Sequence, residues 1–186
     1  MAIESPKYQT LHKDKKFEIR EYEEYLLAEV EIDGDLGSAL QKGFRVLAGY
    51  IFGGNTSRAR ISMTVPVTEQ AVSSEKIDMT APVTSSPIEE GKKYRIAFTM
   101  PSKYTPENLP EPADKTISFR KVSKHKVAAL RFRGNLNSKL ATRKAKELET
   151  WLNQNKYSKK SDFVFAQYNP PWIPTIFRRN EVLTEV

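Results

Sequence analysis

The side chains able to carry out catalysis or hold a metal are few, and their spacing suits neither task. The 186 residues contain two histidines, His12 and His125, and no cysteine. Neither histidine has a second ligand at helical or strand spacing, and the lack of thiols removes a Cys nucleophile, a disulfide and a Cys-type zinc site. His125, between Lys124 and Lys126 at a predicted turn, reads as an exposed polar residue. The acid pairs Glu23-Glu24 and Glu89-Glu90 are adjacent in sequence, so on a strand they point to opposite faces and cannot share a proton-transfer task. No Gly-x-Ser-x-Gly elbow, phosphate-cradling glycine loop or His-Glu-x-x-His stands in the chain. The reading is a non-enzyme with no catalytic residue and no protein-built metal site.

What the sequence does offer is apolar and aromatic surface bordered by cations, the composition of a pocket for a small, planar, hydrophobic anion. The carboxy-terminal stretch is its richest part. Tyr168-Asn169-Pro170-Pro171-Trp172-Ile173-Pro174 reads as a rigid aromatic loop, and Arg178 and Arg179 follow it directly. A guanidinium grips a carboxylate through two parallel hydrogen bonds, so either arginine could hold the acid groups of such a ligand. The alternative is that one of them pairs with Glu181 or another acid.

Thirty Lys and Arg against twenty-three Asp and Glu give a net charge of +7. The basic residues are scattered in short clusters with no nucleic-acid-binding motif to organise them, so they read as solvated surface and predict no nucleic-acid partner. The longest apolar run, Val46 to Phe52, is too short to cross a bilayer, and the amino-terminal residues lack a secretory signal. With no cysteine, the chain is expected to be cytoplasmic, without stable membrane insertion. The sequence identifies no protein partner.

Several elements must position these groups. Ile61-Ser62-Met63-Thr64-Val65-Pro66-Val67-Thr68 recurs sixteen positions later as Ile77-Asp78-Met79-Thr80-Ala81-Pro82-Val83-Thr84. The period of two predicts a pair of neighbouring strands, each with a proline at an edge or bend, and with both methionines in the core. Phe17-Ile19 and Leu26-Ala28-Val30-Ile32 read as the two strands of a hairpin. Leu36, Leu40, Phe44, Leu47 and Ile51 mark a helix, with Ser38 and Gln41 as a capping box and Gly53-Gly54-Asn55 as its stop. Tyr94 to Met100 is another strand, and the four-proline stretch Pro101 to Lys115 reads as an ordered surface loop or a link between halves. Strands at Ile117-Phe119 and Ala128-Phe132, a helix from about Ser138 to Asn155, and strands at Phe163-Tyr168 and Glu181-Val186 follow. The order strand, strand, helix, strands thus occurs twice. It predicts one domain over residues 1–186 with pseudo-repeat halves at about 7–101 and 115–186. The expected class is α+β: a distorted β-barrel or strongly curved antiparallel sheet with two main helices on its outside or ends.

These segments resemble the SOUL haem-binding family. The likeness is carried by Phe17-Glu18-Ile19-Arg20-Glu21-Tyr22, the helix ending in Gly53-Gly54-Asn55, both Met-Thr-x-Pro-Val segments, Tyr168-Asn169-Pro170-Pro171 and Arg178-Arg179-Asn180-Glu181-Val182. The resemblance implies a distorted barrel with two flanking helices and non-enzymatic binding of haem or another tetrapyrrole. It implies a hydrophobic groove beside the first helix, here Gln41, Phe44 and Ala48, with Arg178 and Arg179 nearby to hold the propionates. One branch of the family has a proposed axial histidine where this chain has Glu21, so that ligand is missing. A more distant similarity to effector-binding domains of bacterial regulators supports the alternative of an effector-binding or protein-interaction module for another small hydrophobic ligand.

Overall fold

The computed structural model describes residues 4–57, 74–89, 91–169 and 173–186. Alternating sequence makes strands β1 (Tyr8–Asp14), β2 (Phe17–Tyr22) and β3 (Tyr25–Asp33), and helix α1 (Leu36–Ile51) follows. Next come the two-residue β4 (Asn55–Thr56), β5 (Val83–Glu89), β6 (Lys93–Thr99), the two-residue β7 (Glu111–Pro112), β8 (Ser118–Val122) and β9 (His125–Arg133). Helix α2 (Ser138–Gln154), β10 (Val164–Gln167), a 3-10 turn (Thr175–Phe177) and β11 (Arg179–Glu185) complete the chain. Strand β1 lay outside the sequence-based expectation, since Tyr8 to Asp14 carries no clear alternation.

Nine strands form one antiparallel sheet in the order β1-β2-β9-β11-β10-β5-β6-β3-β8. The expected hairpin of β2 with β3 does not form. Strand β2 pairs with β1 and β9, and β3 pairs with β6 and β8. Only Glu23 and Glu24 connect β2 to β3, and only Ser123 and Lys124 connect β8 to β9, although each linked pair stands near opposite ends of the strand order. Such short links can reach only if the two ends of the sheet curl toward each other. The result is a half-barrel whose amino-terminal and carboxy-terminal strands interlock.

The core lies outside this half-barrel, between sheet and helices. Val30, Ile96 and Phe98 meet α1, whose Leu36, Leu47 and Ile51 are fully buried. Phe17 stacks on Trp151 of α2 with ring centroids 5.0 Å apart. Burying an apolar helix stripe of this kind is worth roughly 1.5–3 kcal/mol per large side chain, which fixes both helices to the convex face. Asp35 caps α1, its carboxylate accepting from the backbone N–H groups of Gly37 and Ser38, in place of the Ser38–Gln41 box. An acid at that position takes over donors the helix leaves unpaired and faces the positive end of its dipole. Gly53, at φ +115°, ends the helix as expected.

Two other expectations change. The second repeat copy is mostly irregular: β5 starts only at Val83, Thr80 makes an isolated bridge to Glu4, and Met79 is exposed rather than core. The first copy, Ile61–Thr68, lies outside the described residues. The proline-bearing connector is not a simple surface loop, because Tyr104 and Leu109 are buried, the Tyr50 hydroxyl donates to the Pro110 carbonyl at 2.9 Å, and β7 pairs with β4. Among the described residues no helix is long and apolar enough to cross a membrane.

Candidate functional site

Because odd and even residues of a strand face opposite ways, the polar alternates of these strands point not to bulk water but into the half-barrel. On β3, Leu27 and Glu29 face inward; on β6, Ala97 and Thr99; on β9, Val127; on β11, Leu183. They enclose a cavity of about 130 Å³ that Tyr22, Tyr25 and His125 close on one side. Glu29 is 7 % exposed and is held by Arg120 at 3.0 Å and Arg95 at 3.6 Å. The lumen is therefore amphipathic, with a paired carboxylate on its wall.

Higher on the same face lies a buried ionic cluster. Arg20 grips Glu181 with bonds of 2.6 and 3.0 Å, and its Nε donates to Glu18 at 2.7 Å. Arg179 donates to the same Glu181 carboxylate at 2.7 Å, and the Tyr168 hydroxyl donates to it at 2.8 Å. The guanidinium carbon of Arg20 lies 4.5 Å from the Tyr8 ring centroid and that of Arg179 lies 4.0 Å from the Tyr168 ring centroid. Burial pushes the Glu181 carboxyl up, but Arg20 and then Arg179 outweigh it and hold it at about 2. Burial and the charge of Glu181 push the Tyr168 phenol up, and burial pushes Tyr25 up to about 12, so both keep their protons at neutral pH. Arg179 as a whole is only partly buried, but its Nε–H is buried and has no partner. It borders a second hollow of about 310 Å³ walled by Tyr8, Tyr22, Tyr168 and Asn169.

The residues expected to share one groove are divided by the sheet. Gln41, Phe44 and Ala48 follow one stripe of α1 on the convex side, where Gln41 is exposed, Phe44 and Ala48 are half-buried, and the Phe44 ring meets Phe98 at 5.4 Å. Arg179 lies on the other face with Arg20 and Glu181. Arg178 is half-buried and its Nε donates to the Ile173 carbonyl at 2.7 Å. The sequence alternative of an Arg–Glu181 pair is the one the structure contains, for Arg179. Pro170, Pro171 and Trp172 of the aromatic loop lie outside the described residues.

Arg20, Glu29 and Tyr8 were not among the site residues expected from the sequence. The signal was there in one respect: Arg20 and Glu29 sit within strands whose other face is apolar, and in a barrel that other alternate lines the lumen.

For a tetrapyrrole with a central metal, the donor set fits at one point. His125 is half-buried rather than exposed, stacked on Tyr22 at 5.8 Å, with Nδ1 2.8 Å from the Ser123 carbonyl. A carbonyl only accepts, so Nδ1 carries a proton, and in the neutral ring the lone pair then falls on Nε2, the arrangement that suits a metal-binding imidazole. Glu21 is held by Lys124 at 2.8 Å and offers no nitrogen. No cluster of three or more His, Asp or Glu suited to a free metal ion occurs among the described residues.

Comparison with known proteins gives a consistent picture. A family model described as SOUL heme-binding protein matches residues 3–75 and 68–185. No curated protein matches significantly. Among solved structures, the EcmrR C-terminal domain is similar at TM-score 0.64 and 11 % identity, covering 96 % of each chain. A protein from Listeria innocua described as a hydrolase is similar at TM-score 0.56 and 10 % identity, covering 94 % of this chain and 93 % of that one. At such identities these two likenesses concern the fold alone.

Proposed function

We propose that this chain, which belongs to the SOUL heme-binding protein family, binds haem or a related tetrapyrrole without converting it. The observation that carries the reading is the family match across nearly the whole chain. The geometry supports it through flat aromatic side chains, a guanidinium with a spare donor at Arg179, and an imidazole at His125 whose Nε2 is unused. The match to a family described as heme-binding supports a binding role over an enzymatic one.

Two surfaces can meet such a ligand. On the convex side Gln41, Phe44 and Ala48 offer a stripe for a macrocycle face. On the concave side Tyr8, Tyr22 and Tyr168 offer edges and faces, and Arg179 offers charge for a propionate, with Arg178 on the approach. The macrocycle and its iron supply any redox or gas-binding chemistry once bound. The protein's own residues bury it, orient its acid groups and hold a nitrogen near its centre.

Hemin titration of the purified protein, followed by the Soret band and tryptophan quenching, tests the reading. Saturable one-to-one binding is expected, and unsaturable uptake overturns it. Loss of affinity in Phe44→Ala assigns the convex stripe, and loss in Arg179→Ala assigns the concave face.

A second reading, an effector-binding module for another small hydrophobic ligand, is favoured by the aromatic and aliphatic lining of the lumen, with Tyr22, Tyr25, Leu27, Val127 and Leu183. A lipophilic ligand, screened in cationic and neutral forms, should then raise the melting temperature, because a ligand of the folded state must stabilise it.

A further inference from the structure

Residues 4–7 run across the open mouth of the half-barrel. At one end the Glu4 carbonyl accepts from the Ala81 N–H at 2.8 Å, and its carboxylate accepts from the Ser102 N–H at 2.8 Å. At the other end the Lys7 carbonyl accepts from the Glu23 N–H at 3.0 Å, in the link between β2 and β3. The segment therefore joins the β5–β6 side of the mouth to the β2–β3 side. Beneath it the concave face is not one chamber but three hollows of about 130, 400 and 310 Å³. Pro6 lines all three, Tyr22 lines the first and third, and Tyr25 lines the first and second. Pro6 of this strap, together with Tyr22 and Tyr25, thus separates the hollows, and the strap's fastenings are a few hydrogen bonds, with Ser5 and Lys7 themselves exposed.

We propose that the strap at residues 4–7 is a displaceable lid over a single concave ligand chamber, and that the chamber takes a flat aromatic dicarboxylate against the wall formed by Tyr22, Tyr25 and His125, with one acid group on Arg179. The inference rests on the tetrapyrrole reading and adds where that ligand sits and what admits it. Two of the hollows already fall in the range of about 300–1,000 Å³ typical of small-molecule sites, and Pro6 is the one described residue that borders both of them and the smallest, so its withdrawal would open all three toward one another beside Tyr22 and Tyr25. Flat rings stack on the tyrosines, and the unpartnered Nε–H of Arg179 gains an acceptor that the closed form does not provide. Because Glu181 accepts from one Nη of that guanidinium and the Tyr168 ring lies against it, the donor is oriented before the ligand arrives. The closed form as described is the minor-affinity state, and binding draws the equilibrium toward the open one.

A reversible lock tests this. The chain has no cysteine, so Glu4→Cys with Thr80→Cys, at positions that face each other in a bridge, introduces the only thiol pair. Iron-free protoporphyrin IX is the probe, because reduced thiols cannot ligate it. The reduced variant, which lacks the Glu4 carboxylate bond to Ser102, should bind at least as tightly as the natural sequence, and oxidation should weaken or slow binding by about tenfold or more relative to it, as expected when an open state populated at roughly 0.1–10 % is removed. Adding reductant should restore it. Equal binding by oxidised and reduced forms overturns the lid while leaving the tetrapyrrole reading intact, and equal binding joined to a loss in Phe44→Ala moves the ligand to the convex stripe. Absence of saturable binding by the natural sequence overturns both the reading and the chamber's assignment.

Discussion

Arg20 and Glu181, 161 positions apart, meet in two buried hydrogen bonds that tie the second strand of the chain to the last. Arg20 is 2 % exposed and Glu181 is fully buried, so neither can fall back on water if the other is lost. Arg20→Met should cost about 3–5 kcal/mol, because it leaves a carboxylate buried with only Arg179 and Tyr168 to satisfy it. Arg20→Met combined with Glu181→Leu should cost clearly less than the two single changes added together. Urea denaturation of all four proteins measures the difference, and simple additivity would contradict the coupling.

The same pair sets an acid limit. The Glu181 carboxyl titrates at about 2 in the folded protein, below its ordinary value of 4.5. A depressed folded value means that the unfolded chain takes up the proton first, so this contribution is complete above pH 4.5 and is lost as pH falls toward 2. Melting temperature should therefore drop through that window. The drop should be shallower in Glu181→Gln, and an identical pH profile for the two proteins would refute the assignment.

Gly43 places the α1 backbone against β6, where a Cβ would stand 2.6 Å from Ile96 carbons. Gly43→Ala should lower stability by about 1–3 kcal/mol through overpacking, against the usual helix-favouring effect of alanine. Gly49 on the same helix has open space around it, so Gly49→Ala is the control and should be neutral or stabilising. Thermal unfolding of the two variants should move in opposite directions.

If hemin occupies the concave face, His125 is the residue placed to offer its iron a nitrogen. His125→Ala should then shift the Soret maximum and the electron paramagnetic resonance signal of the hemin complex, beyond whatever loss of affinity the missing ring contact causes equally for protoporphyrin IX. Free imidazole should reverse the shift. Spectra indistinguishable from those of the natural sequence would remove His125 as a ligand.

Much of the architecture was legible because strand and helix periods are local properties. Leu36 to Ile51 declared α1, and Ala128 to Phe132 declared β9, since each must bury one face against a neighbour. The exchange of partners between β2–β3 and β8–β9 was not legible. A two-residue link ordinarily signals a hairpin, and only long-range pairing shows that these links turn corners of a curled sheet. The second repeat copy misled for a related reason: its Ile-x-Met-x pattern alternates like a strand, yet Met79 faces solvent while Thr80 turns inward to donate to the Thr99 carbonyl. The site divided in the same way. Arg179 was found because arginines next to an aromatic loop stand out, whereas its true neighbours Arg20 and Tyr8 come from the far end of the chain. Placing Phe44 and Arg179 together required knowing which side of the sheet each occupies.

The interlocked strands also bear on how the protein is made. As the chain emerges from the ribosome, β2 and β3 must wait, each with one bare hydrogen-bonding edge, until β8 and β9 have been translated. For that interval the nascent polypeptide presents two ready templates for pairing with a stranger, so the hazard of misassembly falls on the half-synthesised chain and disappears with its completion.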